Sequence, residues 1–170
     1  MFRKDLLNGL TGLTTEEIKN VKWKTLDDKE VNVSGRIIGG CLDIIDSLAG
    51  TKYDGTKTFN EKYQDDGIIW YFDNCDLSME DVIRTLWKLN ELEYFKYTKL
   101  IIFGRFGNEN SILDYDVKTA LTDSVISSLN IPIIYDSDIS HKAPCLTIIN
   151  GSIANVKCVK GKGEISFELR

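Results

Sequence analysis

The chain is poorest in histidine, with one residue, His141, among 170. Its four cysteines, Cys41, Cys75, Cys145 and Cys158, are far apart and form no C-x-x-C pair. One imidazole and scattered thiols exclude a structural zinc site, and no metal or other cofactor is expected. Two of the cysteines lie in apolar or strand-like runs, where the thiol behaves as a small hydrophobe. Reduced thiols in a cytoplasmic protein are the expectation, with two disulfides as the alternative. Long hydrophobic runs are also missing: nothing could span a bilayer, and Met1-Phe-Arg-Lys-Asp-Leu-Leu-Asn8 has too short an apolar stretch for a secretory signal. A soluble chain with no membrane partner is expected. Positive charge is not in excess, since the net charge is −5 and both signs are mixed along the chain. Lys157, Lys160 and Lys162 have no aromatic platform beside them, so no nucleic-acid partner is expected. Repeats, low-complexity tracts and Pro/Ser-rich linkers are absent too, which leaves residues 1–170 as one domain whose first thirty residues have the weakest pattern.

What is present is an α/β alternation that changes character near the end. Val31 to Ile38 alternates and is β-branched, so it predicts a strand. After Gly39-Gly40, Leu42, Ile45 and Leu48 share a helical face that Gly50 closes. Thr14 to Ile18 could begin a short helix with a threonine cap. Asp54 to Asp66 is polar and reads as a loop. Gly67-Ile-Ile-Trp-Tyr-Phe72 is almost continuously apolar, as a strand buried on both faces requires. Ser78 is placed to cap a helix with Val82, Leu86 and Leu89 on one stripe, and Ile83 and Trp87 beside it. Lys99 to Phe103 is a second buried strand, Asp116 to Leu129 an amphipathic helix, and Ile131 to Tyr135 a further strand. Cys145–Ile149, Ile153–Val159 and Glu164–Leu169 then read as short strands separated by Asn150-Gly151 and Gly161-Lys-Gly163, which are hairpin signals. The whole predicts a layered α/β domain with a sheet, helices on one side and a smaller β layer made by C-terminal antiparallel hairpins.

His141 follows the strand at Ile131–Tyr135, at the C-terminal mouth where α/β enzymes keep reacting groups, and its ordinary pKa suits proton transfer near neutrality. A satisfied loop histidine is the plainer alternative. Asp73 emerges at the end of the Ile68–Phe72 run. If both strands share a sheet and a direction, Asp73 and His141 open onto one edge, where a carboxylate would hold the imidazole tautomer and stabilise the imidazolium. The plainer role for Asp73 is to cap the Asp73-Asn-Cys-Asp76 turn. No G-x-S-x-G elbow exists, Ser140 is too close in sequence to serve His141, and nothing near Cys75 in sequence lowers its pKa. The residues supply a base and its orienter without the group they would activate.

Five segments in order carry a resemblance. They are Ser34-Gly-Arg-Ile-Ile-Gly-Gly-Cys-Leu42, Leu48-Ala-Gly-Thr51, Ile69-Trp-Tyr-Phe-Asp73, Leu100-Ile-Ile-Phe-Gly-Arg-Phe106, and Ile131-Pro-Ile-Ile through Ser140-His141. Together they resemble the C-terminal domain of the LD-carboxypeptidases, serine peptidases that include muramoyltetrapeptide carboxypeptidase and microcin C immunity peptidases. The resemblance runs from about Ser34 to the C-terminus. It implies a swivelling β/β/α domain, with His141 as base and Asp73 as orienter. It also implies that the nucleophilic serine lies in a separate N-terminal domain, the expected partner, with a small peptide or muropeptide as substrate. The chain is then one half of an enzyme that cuts an L,D-peptide bond and is inactive alone. An immunity peptidase and a non-catalytic binding module are the alternatives. The departures are Asp73 for the family's Glu, Cys41 for Asn, and Ser140 for a Gly before the His. The face towards the missing half is expected to expose Trp70, Tyr71, Phe106 and Ile139 around His141, a patch suited to homodimerisation.

Overall fold

The computed structural model describes residues 21–169. The expected helix at Thr14–Ile18 lies outside them. The elements are β1 (Lys24–Thr25), β2 (Val31–Cys41), α1 (Leu42–Leu48), α2 (Thr56–Lys62), β3 (Ile68–Asp73), α3 (Met79–Glu91), β4 (Thr98–Gly104) and α4 (Val117–Asp123). A 3-10 turn (Val125–Leu129) leads to β5 (Ile133–Ser137), β6 (Ile153–Val159) and β7 (Lys162–Glu168).

All seven strands join one sheet in the order β1-β5-β4-β3-β2-β6-β7. The central strands β2, β3, β4 and β5 are parallel. β1 adds antiparallel at one edge, and the β6–β7 hairpin adds antiparallel at the other. Alternation along the central strands divides the core in two, because successive side chains leave a strand on opposite faces. Ile68, Trp70 and Phe72 of β3, with Ile101 and Phe103 of β4, pack against Val82, Leu86 and Leu89 of α3 and Leu121 of α4. Burying each of these large side chains contributes roughly 1.5–3 kcal/mol. Ile69, Leu100, Ile102 and Ile134 face the other way, towards Trp23, Val156, Ile165 and Phe167. That second core requires the sheet to curl. Trp23, just before β1, donates its backbone N–H to the Gly161 carbonyl at 3.1 Å. Its indole also lies against Gly163, where a Cβ would come within 1.9 Å of the ring. The two ends of the sheet therefore meet, and the C-terminal hairpin forms the opposing β layer by curling over the concave face.

Local rules place most of these elements. Ser78 Oγ accepts from Asp81 N at 3.2 Å to open α3, and Asp116 with Thr119 forms a capping box for α4. Four local expectations need correction. The helix expected over Asp116–Leu129 breaks at Ser124, whose backbone is extended and whose Oγ donates to Leu121 O at 2.7 Å, a local bond that competes with helix continuation. Asp54–Asp66 contains helix α2, supported locally by the Phe59 and Tyr63 rings 4.8 Å apart and from outside by Asn60 Nδ2, which donates to Tyr94 O. Cys145–Ile149 is not a strand, and β2 pairs with β6 instead. The tight turn of the last hairpin is Lys160-Gly161, with both residues at positive φ as a two-residue hairpin loop demands, whereas Asn150-Gly151 only leads into β6.

Candidate active site

Asp73 ends β3 and Ser137 ends β5, and β4 lies between them. For His141 to reach Asp73, the chain after β5 must cross the end of β4. Gly104 makes this crossing possible. A Cβ there would fall 1.6 Å from the Ile139 carbonyl oxygen and 2.6 Å from its carbon, so the Ile139–Ser140 peptide passes where any side chain would stand. Beyond the crossing, Asp73 Oδ1 accepts from the His141 backbone N–H at 3.3 Å, and Asp73 Oδ2 pairs directly with His141 Nδ1. The two residues singled out in the sequence are thus brought together at the C-terminal edge of the parallel strands.

Their exposures differ in a useful way. The Asp73 side chain is 13% exposed, the His141 side chain 55%. The carboxylate is sheltered, while the His141 side chain is more than half exposed and its Nε2 has no hydrogen-bond partner among the described residues. Burial pushes the Asp73 carboxyl above its ordinary value. The charge of His141 and its donated hydrogen bonds pull the other way, and Asp43 adds a smaller upward push. A carboxylate fixed on Nδ1 leaves Nε2 as the basic nitrogen of the neutral ring.

The loops around this pair are stitched by residues that sequence reasoning passed over. Asp43, from α1, accepts from the backbone N–H of Cys75 at 3.1 Å and of Asp76 at 3.0 Å, and from Cys41 Sγ at 3.2 Å. Burial opposes its charge, but these donors hold Asp43 below its ordinary value. Buried Asn74 donates to Leu77 O and Asn108 O, and its carbonyl takes the Gly107 N–H at 2.7 Å, which ties the β3 and β4 loops together. Arg105, directly after Gly104, donates to the carbonyls of Lys142, Ala143 and Pro144 at 2.7, 3.1 and 2.6 Å. The sequence signal for Arg105 was the Gly-Arg-Phe stretch closing an apolar strand.

The departures at Ser140 and Cys41 are absorbed. Ser140 does not adopt positive φ, and its Oγ bridges Lys142 N and O at 2.8 and 3.0 Å, so a side chain before His141 causes no left-handed strain. Cys41 stands opposite Asp73 in the β2–β3 register and turns its thiol to Asp43. Desolvation and the carboxylates of Asp76, Asp43 and Asp73 push the Cys75 thiol up, which disfavours a thiolate nucleophile. The apolar patch expected around His141 is corrected. Trp70 is buried in the helix-side core with its indole N–H on Tyr94 O, Phe106 packs on Phe103, and Ile139 is pinned beneath the loop by Gly104. Only Tyr71 of the four is partly open. Among the described residues no cluster of His, Cys, Asp and Glu is fit to hold a metal ion, and no helix is long and apolar enough to cross a membrane.

The curled seven-stranded sheet defines an α/β domain, and residues 34–156 match the LD-carboxypeptidase C-terminal domain. The chain belongs to that family. Its fold is shared with muramoyltetrapeptide carboxypeptidase from Oxalobacter formigenes, at 22% identity and TM-score 0.68 over 89% of this chain and 52% of that one. The microcin C7 self immunity protein MccF superposes with TM-score 0.67 at 21% identity, over 88% of this chain and 42% of that one. A MccF-like protein from Bacillus anthracis str. Ames matches at 23% identity and TM-score 0.58, over 84% and 41%. The chain therefore spans about half the length of these relatives or less. No curated protein matches it significantly.

Proposed function

We propose that this chain supplies the base and its orienter to a serine-type carboxypeptidase whose nucleophile is carried by another domain. The observation that carries the reading is the Asp73–His141 pair, with the carboxylate sheltered on Nδ1, the ring more than half exposed and Nε2 unpartnered among the described residues. In that role His141 Nε2 removes the proton of an incoming serine hydroxyl as its oxygen attacks an amide carbonyl. It then returns that proton to the departing amine, leaving an acyl-enzyme for water to hydrolyse. Asp73 keeps the ring in the productive tautomer and stabilises the imidazolium between the two transfers. The substrate class we favour is the L,D-peptide bond of a muropeptide, with the work done in the cytoplasm. The comparable fold similarity to MccF supports a peptide–nucleotide substrate as the second reading.

The test joins these 170 residues to the nucleophile-bearing half of a relative and measures release of the terminal residue from an L,D-tetrapeptide and from an aminoacyl sulfamoyl adenosine. Activity that His141→Ala abolishes, and Asp73→Asn lowers by about 10³–10⁴-fold, is the expected result. A well-folded, two-domain protein that releases nothing from either substrate would leave a binding module as the function. Hydrolysis by the 170 residues alone would point to a nucleophile within them.

A further inference from the structure

We infer that Arg105 is a positioning residue for His141, acting by hydrogen bonds to the backbone beyond it rather than through its longer ion pair with Asp138. This deepens the proposed function, and rests on it for the role of His141. Three successive carbonyls, of Lys142, Ala143 and Pro144, all accept from one guanidinium. Those of Ala143 and Pro144 have no other donor among the described residues. The segment lies beyond the crossing of β4 in no regular structure, with Leu146 N to Asp138 O at 2.7 Å as its next backbone tie. Without Arg105, His141 would sit at the start of a span whose backbone groups are otherwise almost untethered.

Asp138 forms an ion pair with Arg105 but no hydrogen bond to it. Arg105 Nη2 lies 3.7 Å from Asp138 Oδ1, a separation too long for a hydrogen bond. Arg105 Nε and Asp138 Oδ1 are both buried with no hydrogen-bond partner among the described residues. Asp138 gives its other oxygen to Trp23 Nε1 at 3.1 Å. The guanidinium thus spends its terminal N–H groups on neutral carbonyls, a fan-shaped recognition that the compact ammonium of lysine cannot reproduce. Arg105 also follows Gly104 directly, and its own N–H donates to Ser137 O at 3.2 Å. One strand end therefore both clears the path of the loop and holds its far side.

Because His141 is the sole histidine, its imidazole signals in ¹⁵N-labelled protein are unambiguous. The experiment compares wild type, Arg105→Lys, Arg105→Met, Asp138→Asn and Asp73→Asn by the downfield Nδ1 proton of His141 and by amide exchange at Leu146. Both arginine variants should lose the Nδ1 signal and exchange Leu146 faster by about tenfold or more, the equivalent of one charge-assisted hydrogen bond. Asp138→Asn should retain both. Asp73→Asn should lose the Nδ1 signal and keep Leu146 protected, which separates failure of the Asp73–His141 pair from failure of the grip. If wild type itself lacks the downfield proton, the catalytic reading fails, while faster Leu146 exchange in Arg105→Lys would still uphold the grip. Arg105→Lys with unchanged exchange and an unchanged His141 signal would overturn the inference, as would Asp138→Asn that matched the arginine variants. Should Arg105→Met not fold, the lysine variant decides the matter alone.

Discussion

Gly104→Ala is the smallest change that should separate Asp73 from His141 without touching either. The added Cβ would stand 1.6 Å from Ile139 O, whereas a carbon and a carbonyl oxygen approach to about 3.3 Å at closest. The loop must then retreat by roughly 1.7 Å, the difference between those two distances. The His141 N–H, already 3.3 Å from Asp73 Oδ1, passes out of hydrogen-bond range. Forcing a backbone aside in a packed region costs about 1–3 kcal/mol. Loss of a charge-assisted contact adds about 1 kcal/mol once discounted for the exposure of the ring. Replacing glycine by alanine stiffens the unfolded chain, which offsets about 0.4–1 kcal/mol. The clash wins, with a net loss of about 1–3.6 kcal/mol. That is below the 5–15 kcal/mol typical of a domain, so the protein should stay folded in water. Urea unfolding should show a lower midpoint at unchanged slope, and the downfield His141 Nδ1 proton should disappear. A variant within about 0.5 kcal/mol of wild type that keeps that proton would refute the crossing as the cause of the pairing.

Two further outcomes follow from the same geometry. Asp73→Glu, although it restores the residue type of the related peptidases, should weaken the site: the shorter carboxylate already meets both His141 N and Nδ1, so an added methylene has to push the loop outward at a cost of about 1–2 kcal/mol. A stability equal to or above wild type by urea unfolding, with the His141 contact intact, would contradict this. Glu80 is held at about 2, against an ordinary 4.5, chiefly by the Ser111 hydroxyl and also by the backbone N–H of Leu113 and Ile112. A lowered carboxyl contributes stability that is present above 4.5 and lost as pH falls towards about 2. NMR shifts of Ile112 and Leu113 should therefore hold down to about pH 3 and change near 2, and Glu80→Gln should remove that transition; a midpoint near 4.5 would show the loop is held by something else.

Most of the architecture was legible because it is local. Short, continuous apolar runs at Ile68–Phe72 and Leu100–Phe103 have the length and composition of strands covered on both faces, and Ser78 announces α3 through a bond within its own first turn. Asp73 and His141 were legible as strand-end residues, since their placement needs only the ends of two runs and a shared strand direction. Local reasoning failed where a distant partner decides. α2 is tied down by Asn60, which finds the Tyr94 carbonyl 34 residues away. Trp70, Phe106 and Ile139 carry no mark in the sequence to tell a core side chain from an interface one, and the curl and the crossing buried them. Composition, alternation and caps therefore determined which segments are strands and which residues stand at their ends. Only the tertiary structure decided that β4 lies between β3 and β5. From that order come the crossing over Gly104, the three carbonyls on Arg105 and the closure of Asp73 on His141, because contacts between residues 68 positions apart depend on strand order, which no local pattern encodes.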